Sequence, residues 1–493
     1  MHLEKQIVMA DIKIIGREYE QRLLDMLCKE KGANLIAVYG RRRVGKTFLV
    51  KQYFDDQFDF FFTGSFETPQ KVQLALFQNT LQQYSGEERA TPKTWFEAFD
   101  QLRIYLSGSK KKRLVVFLDE LPWMETPKSN FLKAFTYFWN SWASTRKGLK
   151  LIVCGSSTTW MLNKIIGDKG GLYGRCSRSI YLAPFNLHEV EDFLKKQKGI
   201  VWNRYQILEA YMIFGGIPYY LNMLEKDLPF EKNINNLFFR KGAPLQVEYD
   251  FLFRSLFKSS AIYKQVVEAV AKKNKGLTLK EIKESLKVND GGSLSVIIEN
   301  LCKCDFIRKY AAYGKKERGM LYQLTDLYSL FYLKFINEKQ GLDEHYWSNL
   351  PETKRNAWAG YAFEQVCLHH IEQIRIKLGI RGVLTNISSW SCPKQIDKDG
   401  TEWSGTQIDL LLCRGDHVID LCEMKYSKSE YIVTAEYENH LRDRTDTFAH
   451  FTKAKDALHN ILVTTYGIRE NIHTGIFNST VTMDALFEAS NIF

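Results

Sequence analysis

Residues 39–50 read YGRRRVGKTFLV. Gly40 and Gly45 bracket four residues and Lys46-Thr47 follow, which is the spacing of a loop that cradles phosphate. Upstream, NLIAVYG (34–40) is a short apolar run stopped by a glycine, as a strand buried on both faces of a parallel sheet would be. Downstream the pattern is helical. Strand, Gly-bounded loop and helix together aim backbone N–H groups and the positive helix end at an anion. In that geometry Lys46 neutralises the β and γ phosphates of a nucleotide such as ATP, and the Thr47 hydroxyl is a ligand for Mg²⁺. Arg43, Val44 and Phe48 belong to the same cofactor-binding stretch, with arginines 41–43 either drawing in phosphate or facing solvent.

Two further apolar runs end in polar residues. LVVFLDELPW (114–123) pushes Asp119 and Glu120 out at the carboxyl edge of the sheet, where ligands bind in such folds. Asp119 is expected to hold the metal's water shell and Glu120 to orient or deprotonate the attacking water. LIVCGSS (151–157) brings Ser156 to a strand tip, where its hydroxyl can sense the γ phosphate. GGLYGRCSRS (170–179) supplies Arg175 as a candidate arginine finger, against the plain reading of a surface arginine. An arginine acting on a neighbour's nucleotide would require a homo-oligomer.

Length and composition set the frame. A chain of 493 residues exceeds a single hydrophobic core, and 45% hydrophobic with 25% charged residues is ordinary for soluble protein. No apolar run approaches the ~20 residues that span a bilayer, and the first residues lack the pattern of a secretion signal. A cytoplasmic protein with no membrane partner is expected. The nine cysteines are scattered, and the closest pair, Cys302 and Cys304, fits neither a zinc knuckle nor a redox motif. The net charge of +11 suits a polyanionic partner and also serves solubility.

Gly16-Arg17-Glu18, the loop at 40–47, Asp119-Glu120, Gly155-Ser156-Ser157, Gly174-Arg175 and GGIPYYL (215–221) together resemble the archaeal-type ATPases of the STAND and AAA-like P-loop group. The resemblance implies that Gly16 and Arg17 line the adenine end and that Gly216-Ile217-Pro218, in a helical lid, touches the base. It gives an α/β, parallel-sheet ATPase core over 1–186 and a lid over 187–257.

Residues 258–340 read as a winged helix: helices, then two strands joined through GKKERG (314–319). Residues 258–320 hold 14 Lys and Arg against 7 Asp and Glu. A recognition helix near 293–303 and a basic wing would contact DNA, and the alternative is a packing or dimerisation module.

The remaining span, 341–493, carries a second set of charged residues. WAGYAFEQVCLHHIEQI (358–374) reads as one amphipathic helix with Glu364 turned toward its packed side, a costly place for a charge unless a cation waits there. TQIDLLLCRGDHVIDLCEMKYS (406–427) reads as two strands turning at Gly415-Asp416-His417. A three-residue loop pairs Asp409 with Glu423, whereas a two-residue loop slips the register and separates them. Glu423 and Lys425 share one face. Glu364, Asp409 and Glu423 are then expected to converge on one Mg²⁺, with Lys425 positioning water or stabilising the transition state. These residues resemble a PD-(D/E)XK nuclease, and GYAFEQVC, QIDLLLCR, CEMKYS and VTTYGI (463–468) resemble the nuclease-like domain fused to ATPases of this group. The usual proline before the first Asp is Ile408 here. The function expected is an ATPase whose nucleotide state controls DNA cleavage, or else a nucleotide-switched DNA-binding or sensor protein with an inert nuclease fold.

Overall fold

A computed structural model describes residues 13–167, 170–257, 259–288, 291–314, 320–337, 343–397 and 399–489. The chain forms two compact units, one of residues up to Pro184 with Ile217–Tyr219, the other of Phe185–Gly216 with the residues from Tyr220 onward. Among the described residues no helix is long and apolar enough to cross a membrane.

The first unit is an α/β layer structure. Strands β1 (Asn34–Tyr39), β2 (Phe60–Thr63), β3 (Leu114–Asp119), β4 (Leu149–Gly155) and β5 (Arg178–Tyr181) form an all-parallel sheet in the order β2-β3-β4-β1-β5. The three central strands are apolar over 35–38, 114–118 and 151–154 because each face is covered, and the buried polar residues Asn34 and Lys150 bond each other. Leu35, Ala37, Val116, Leu118, Leu151 and Val153 pack with Phe77, Trp95, Phe99, Phe131 and Phe135 of the flanking helices. The alternate residues Ile36, Val38, Val115, Phe117 and Ile152 pack on the other face with Leu24, Leu27 and Val50. Parallel pairing of β3 with β4 and of β4 with β1 makes the carboxyl ends of the three strands neighbours.

The second unit begins with helices, among them Leu187–Asp192, Arg204–Phe214 and Pro244–Leu256. The excursion 185–216 is fastened at its base: the Phe185 amide donates to the Gly216 carbonyl at 2.8 Å. Gly216 has φ +67° and a Cβ there would lie 2.0 Å from the Phe185 oxygen, so only glycine fits. Helix Ser260–Ala271, β6 (Leu277–Thr278), helices Leu279–Leu286 and Gly291–Lys303, β7 (Ile307–Tyr310) and β8 (Leu321–Leu324) follow. The three strands pair antiparallel in the order β6-β8-β7. The basic wing expected at 314–319 lies, beyond Gly314, outside the described residues.

The last sheet contains β9 (Thr385–Cys392), β12 (Thr406–Arg414), β13 (Val418–Lys425), β14 (Ala457–Thr464) and β15 (Ser479–Thr482) in the order β15-β14-β13-β12-β9. The small hairpin β10 (Gln395–Ile396) and β11 (Glu402–Trp403) stands apart. Pairing is antiparallel through β9, β12 and β13, then parallel through β14 and β15, with helix Ala435–Thr452 as the crossover. Trp390, Ile408, Leu411, Ile419, Leu421 and Phe448 form a core on one face.

The single helix expected over 358–374 is instead two, Glu352–His369 and Ile371–Lys377. The break lies at His370, whose fully buried ring bonds the Val366 carbonyl through Nδ1 at 2.8 Å and accepts the Leu187 amide on Nε2 at 3.0 Å. Burial pushes its pKa down from 6.5 to about 4. The unfolded chain therefore binds a proton that the folded one refuses, so stability is complete above pH 6.5 and falls as pH drops toward 4, by about 3 kcal/mol in all. We expect thermal melts between these limits to show this slope, and the His370→Asn protein to start less stable and lack it.

Candidate functional site

The phosphate loop is built on a close backbone approach. Gly40 follows β1 with φ +143°, and a Cβ there would stand 2.4 Å from the Leu182 carbonyl oxygen. Gly45, at φ 91°, then turns the chain into helix Lys46–Tyr53. Lys46 is buried and its Nζ donates to the loop's own carbonyls, Gly40 O at 3.0 Å and Arg41 O at 2.8 Å. Thr47 Oγ1 donates to Asp119 Oδ2 at 2.9 Å, joining the loop to the end of β3. Burial, and then the neighbouring Glu120, raises the Asp119 carboxyl. A hydroxyl and a carboxylate in contact are hard oxygen donors of the kind Mg²⁺ takes, so the pair suits the ion that accompanies ATP.

Glu120 adopts the left-handed conformation (φ 47°) and turns back to Ser156. It accepts the Ser156 hydroxyl at 2.7 Å and the Ser156 amide at 3.1 Å. The two residues expected to act separately on water and γ phosphate are therefore joined to each other across the ends of β3 and β4. Arg43 lies with its guanidinium carbon 3.8 Å over the Tyr219 ring, next to Pro218. Val44 is buried, Phe48 is exposed, and Arg17 is buried with Nη2 donating to Ala183 O at 2.7 Å beside Gly16. Arg175 faces solvent on a loop pinned by Asn140 Nδ2 to Gly171 O at 2.8 Å.

In the C-terminal sheet the ladder runs Leu410–Cys422, Leu411–Leu421, Leu412–Asp420 and Cys413–Ile419. The ladder stops one residue short of Asp409 and Glu423, which lie near enough to act on each other's charge. The turn Gly415-Asp416-His417 is thus three residues long, with His417 left-handed at φ 65°. Between β12 and β9 the register shifts within 408–411, so Asp409 lies in an irregular step of its strand. Ile408 and Leu411, three residues apart, both reach the core as a result.

Glu364, Asp409, Glu423 and Lys425 are all part-exposed. Burial first, then the charges of Asp409 and Glu423, push the Glu364 carboxyl up to about 8. Burial raises Asp409 as well. Burial alone would raise Glu423 too, but Arg444 and then Lys425 outweigh it and hold the group at about 2. Glu423 accepts from Arg444 Nη1, from Tyr437 Oη at 2.6 Å and from Lys425 Nζ at 2.8 Å.

Among the described residues no group of three or more His, Cys, Asp or Glu side chains is gathered to hold a metal ion, and Glu423 is already compensated by two cations. The sequence reading missed Arg444 and Tyr437. Arg444 had a signal: it sits on the buried stripe Leu441, Arg444, Thr447, Phe448 of its helix, where a cation needs a partner.

The basic middle segment distributes its charge unevenly. The exposed residues of helix Gly291–Lys303 include Ser293, Ser295, Val296 and Glu299, while Lys303 pairs with Glu299 at 2.7 Å. Its lysines cluster instead at 272, 273, 275, 280, 283 and 287.

A parallel sheet with a phosphate loop after β1 and an Asp-Glu pair after β3 is the arrangement of a P-loop ATPase domain. Residues 15–224 match a family model described as an ATPase domain predominantly from Archaea. The chain is also similar to the uncharacterized protein MJECL04 of Methanocaldococcus jannaschii, 27% identical over 402 residues, covering 80% of this chain and 83% of that one. A second protein of that organism, the uncharacterized ATP-binding protein MJ0423, is 41% identical over 46 residues, 9% of this chain and 78% of that one. Among solved structures, the Walker-type ATPase PABY2304 of Pyrococcus abyssi aligns with TM-score 0.48 at 20% identity, over 65% of this chain and 96% of that one. The ORC2 protein of Aeropyrum pernix aligns with TM-score 0.42 at 14% identity, over 65% and 93%. The family match and the loop geometry support ATP binding and hydrolysis by this part of the chain.

Proposed function

We propose that the protein is a cytoplasmic ATP-driven switch whose nucleotide state governs a DNA phosphodiesterase in residues 341–493, with 258–340 a winged helix that engages DNA. The observation that supports the reading is the nearness of Glu364, Asp409 and Glu423, which act on one another's charge, with Lys425 Nζ 2.8 Å from Glu423. Lys46 leaves the loop carbonyls for the β and γ phosphates, Thr47 and Asp119 hold the accompanying Mg²⁺, and Glu120, freed from Ser156, orients water. Arg175 acts on a neighbouring copy's nucleotide. Gly16, Arg17 and Pro218 border the base. For a second Mg²⁺ to sit in the C-terminal cleft, Asp409, Glu364 and Glu423 would have to draw together, with Glu423 released from Arg444; the ion would then supply polarisation of a phosphoryl oxygen.

A second reading is a nucleotide-switched DNA-binding or sensor protein. The Arg444 and Lys425 pairing of Glu423 favours it, because a carboxylate so neutralised has little left for a metal. Plasmid nicking with Mg²⁺ or Mn²⁺, with and without ATP, separates the two. We expect nicking by the natural protein and its loss, with ATPase retained, in Asp409→Ala. No nicking in any condition, with salt-sensitive duplex binding, would leave the second reading.

A further inference from the structure

Arg308, on β7 of the middle segment, is held unlike any other arginine described so far. Its Nε donates to Gln323 Oε1 at 2.9 Å, its Nη2 donates to the same oxygen and to Gln365 Oε1 at 3.0 Å. Both partners are neutral carboxamides, and both are buried. Gln323 is itself fixed, donating to Asn274 O at 2.6 Å. Gln365 is the residue after Glu364. The guanidinium is thus oriented along one edge by groups that leave its charge unspent.

Nη1, on its other edge, makes no hydrogen bond to a described residue, and among the described residues no carboxylate pairs with the half-buried side chain. Asp409 and Glu364 lie near enough to act on it electrostatically without bonding it. Arg444 is the contrast: 2% exposed and spent on Glu423. The segment that brings Arg308 is joined to the C-terminal sheet by the Ala312–Ser389 bridge, by the Tyr313 amide on Ser389 O at 2.7 Å, and by the Tyr313–Phe448 ring contact at 5.2 Å.

A planar fork oriented by neutral acceptors, whose Nη1 bonds no described residue and which lies near two acids, matches a non-bridging oxygen pair of a phosphodiester. We propose that Arg308 is the phosphate anchor of the C-terminal cleft, taking a backbone phosphate of duplex DNA through Nη1, with Gln323 and Gln365 as its positioning residues. This rests on the DNA reading of the cleft and adds a residue that its acids and Lys425 do not include. It also balances the site: a phosphate brought to Glu364, Asp409 and Glu423 needs a cation that those acids have not already claimed.

The test is binding of a labelled duplex oligonucleotide by the full chain in chelator, measured by anisotropy between about 50 and 200 mM salt. Loss of one phosphate contact lowers the slope of log affinity against log salt by about 0.9. We expect Arg308→Gln to lose that increment and bind about tenfold more weakly at the low-salt end. Gln365→Glu places a carboxylate on the oriented edge. It should spend the charge of Arg308 and lose the same increment without lowering the melting temperature, which a merely structural arginine would not do. If Arg308→Gln fails to fold, Gln365→Glu decides. Slopes equal to that of the natural protein in the folded variants overturn the anchor, whatever the nicking assay gives. A lost increment in a protein that never nicks DNA keeps the anchor and removes the phosphodiesterase.

Discussion

Lys46→Ala should bind ATP at least ~100-fold more weakly than the natural protein, because an ammonium on phosphate contributes roughly 1.5–3 kcal/mol per contact and Lys46 serves more than one oxygen. The substitution costs the fold little by comparison, since among the described residues Lys46 Nζ bonds only Gly40 O and Arg41 O. Added ATP raises the melting temperature of a protein that binds it in the folded state alone. That rise should be present in the natural protein and absent in Lys46→Ala. An equal rise in both would mean that the loop at 40–47 does not hold the triphosphate.

The second large effect lies in the C-terminal sheet. Glu423→Gln keeps the shape of the side chain and removes the charge that compensates Arg444, which is 2% exposed. Breaking a buried ion pair from one side costs about 3 kcal/mol or more, because the remaining charge stays buried without its counter-ion. Amide exchange in helix Ala435–Thr452 should then quicken by ~100-fold, as local opening becomes easier by that amount. Adding Arg444→Met removes the stranded cation and should restore most of the protection. Unchanged exchange in Glu423→Gln would show that the pair carries no stability. The same protein should keep its ATPase and lose any nicking.

The ATPase sheet was readable because burial on both faces leaves apolar runs, as at 35–38, 114–118 and 151–154, and because Gly40, Gly45, Lys46 and Thr47 keep a fixed spacing. The register of β12 on β13 was readable for a related reason: it follows once the turn length is set. What escaped was tertiary. Nothing local to Glu423 announces Arg444, twenty-one residues on and on a helix. Nothing local to Glu364 announces Arg308 either. The helix break at His370 escaped because histidine interrupts no periodicity, and the ring ends the helix through a partner, Leu187, far away in sequence. The joining of Glu120 to Ser156 escaped because two strand tips meet only when the sheet order is known.

The Phe185–Gly216 bond makes the helical stretch between them a detour that starts and finishes at one spot. Its two ends are set by this clasp, while its interior answers to other partners, as Leu187 does to His370. Swapping Gly216 for any larger residue would force the clasp apart, because a Cβ there meets the Phe185 oxygen.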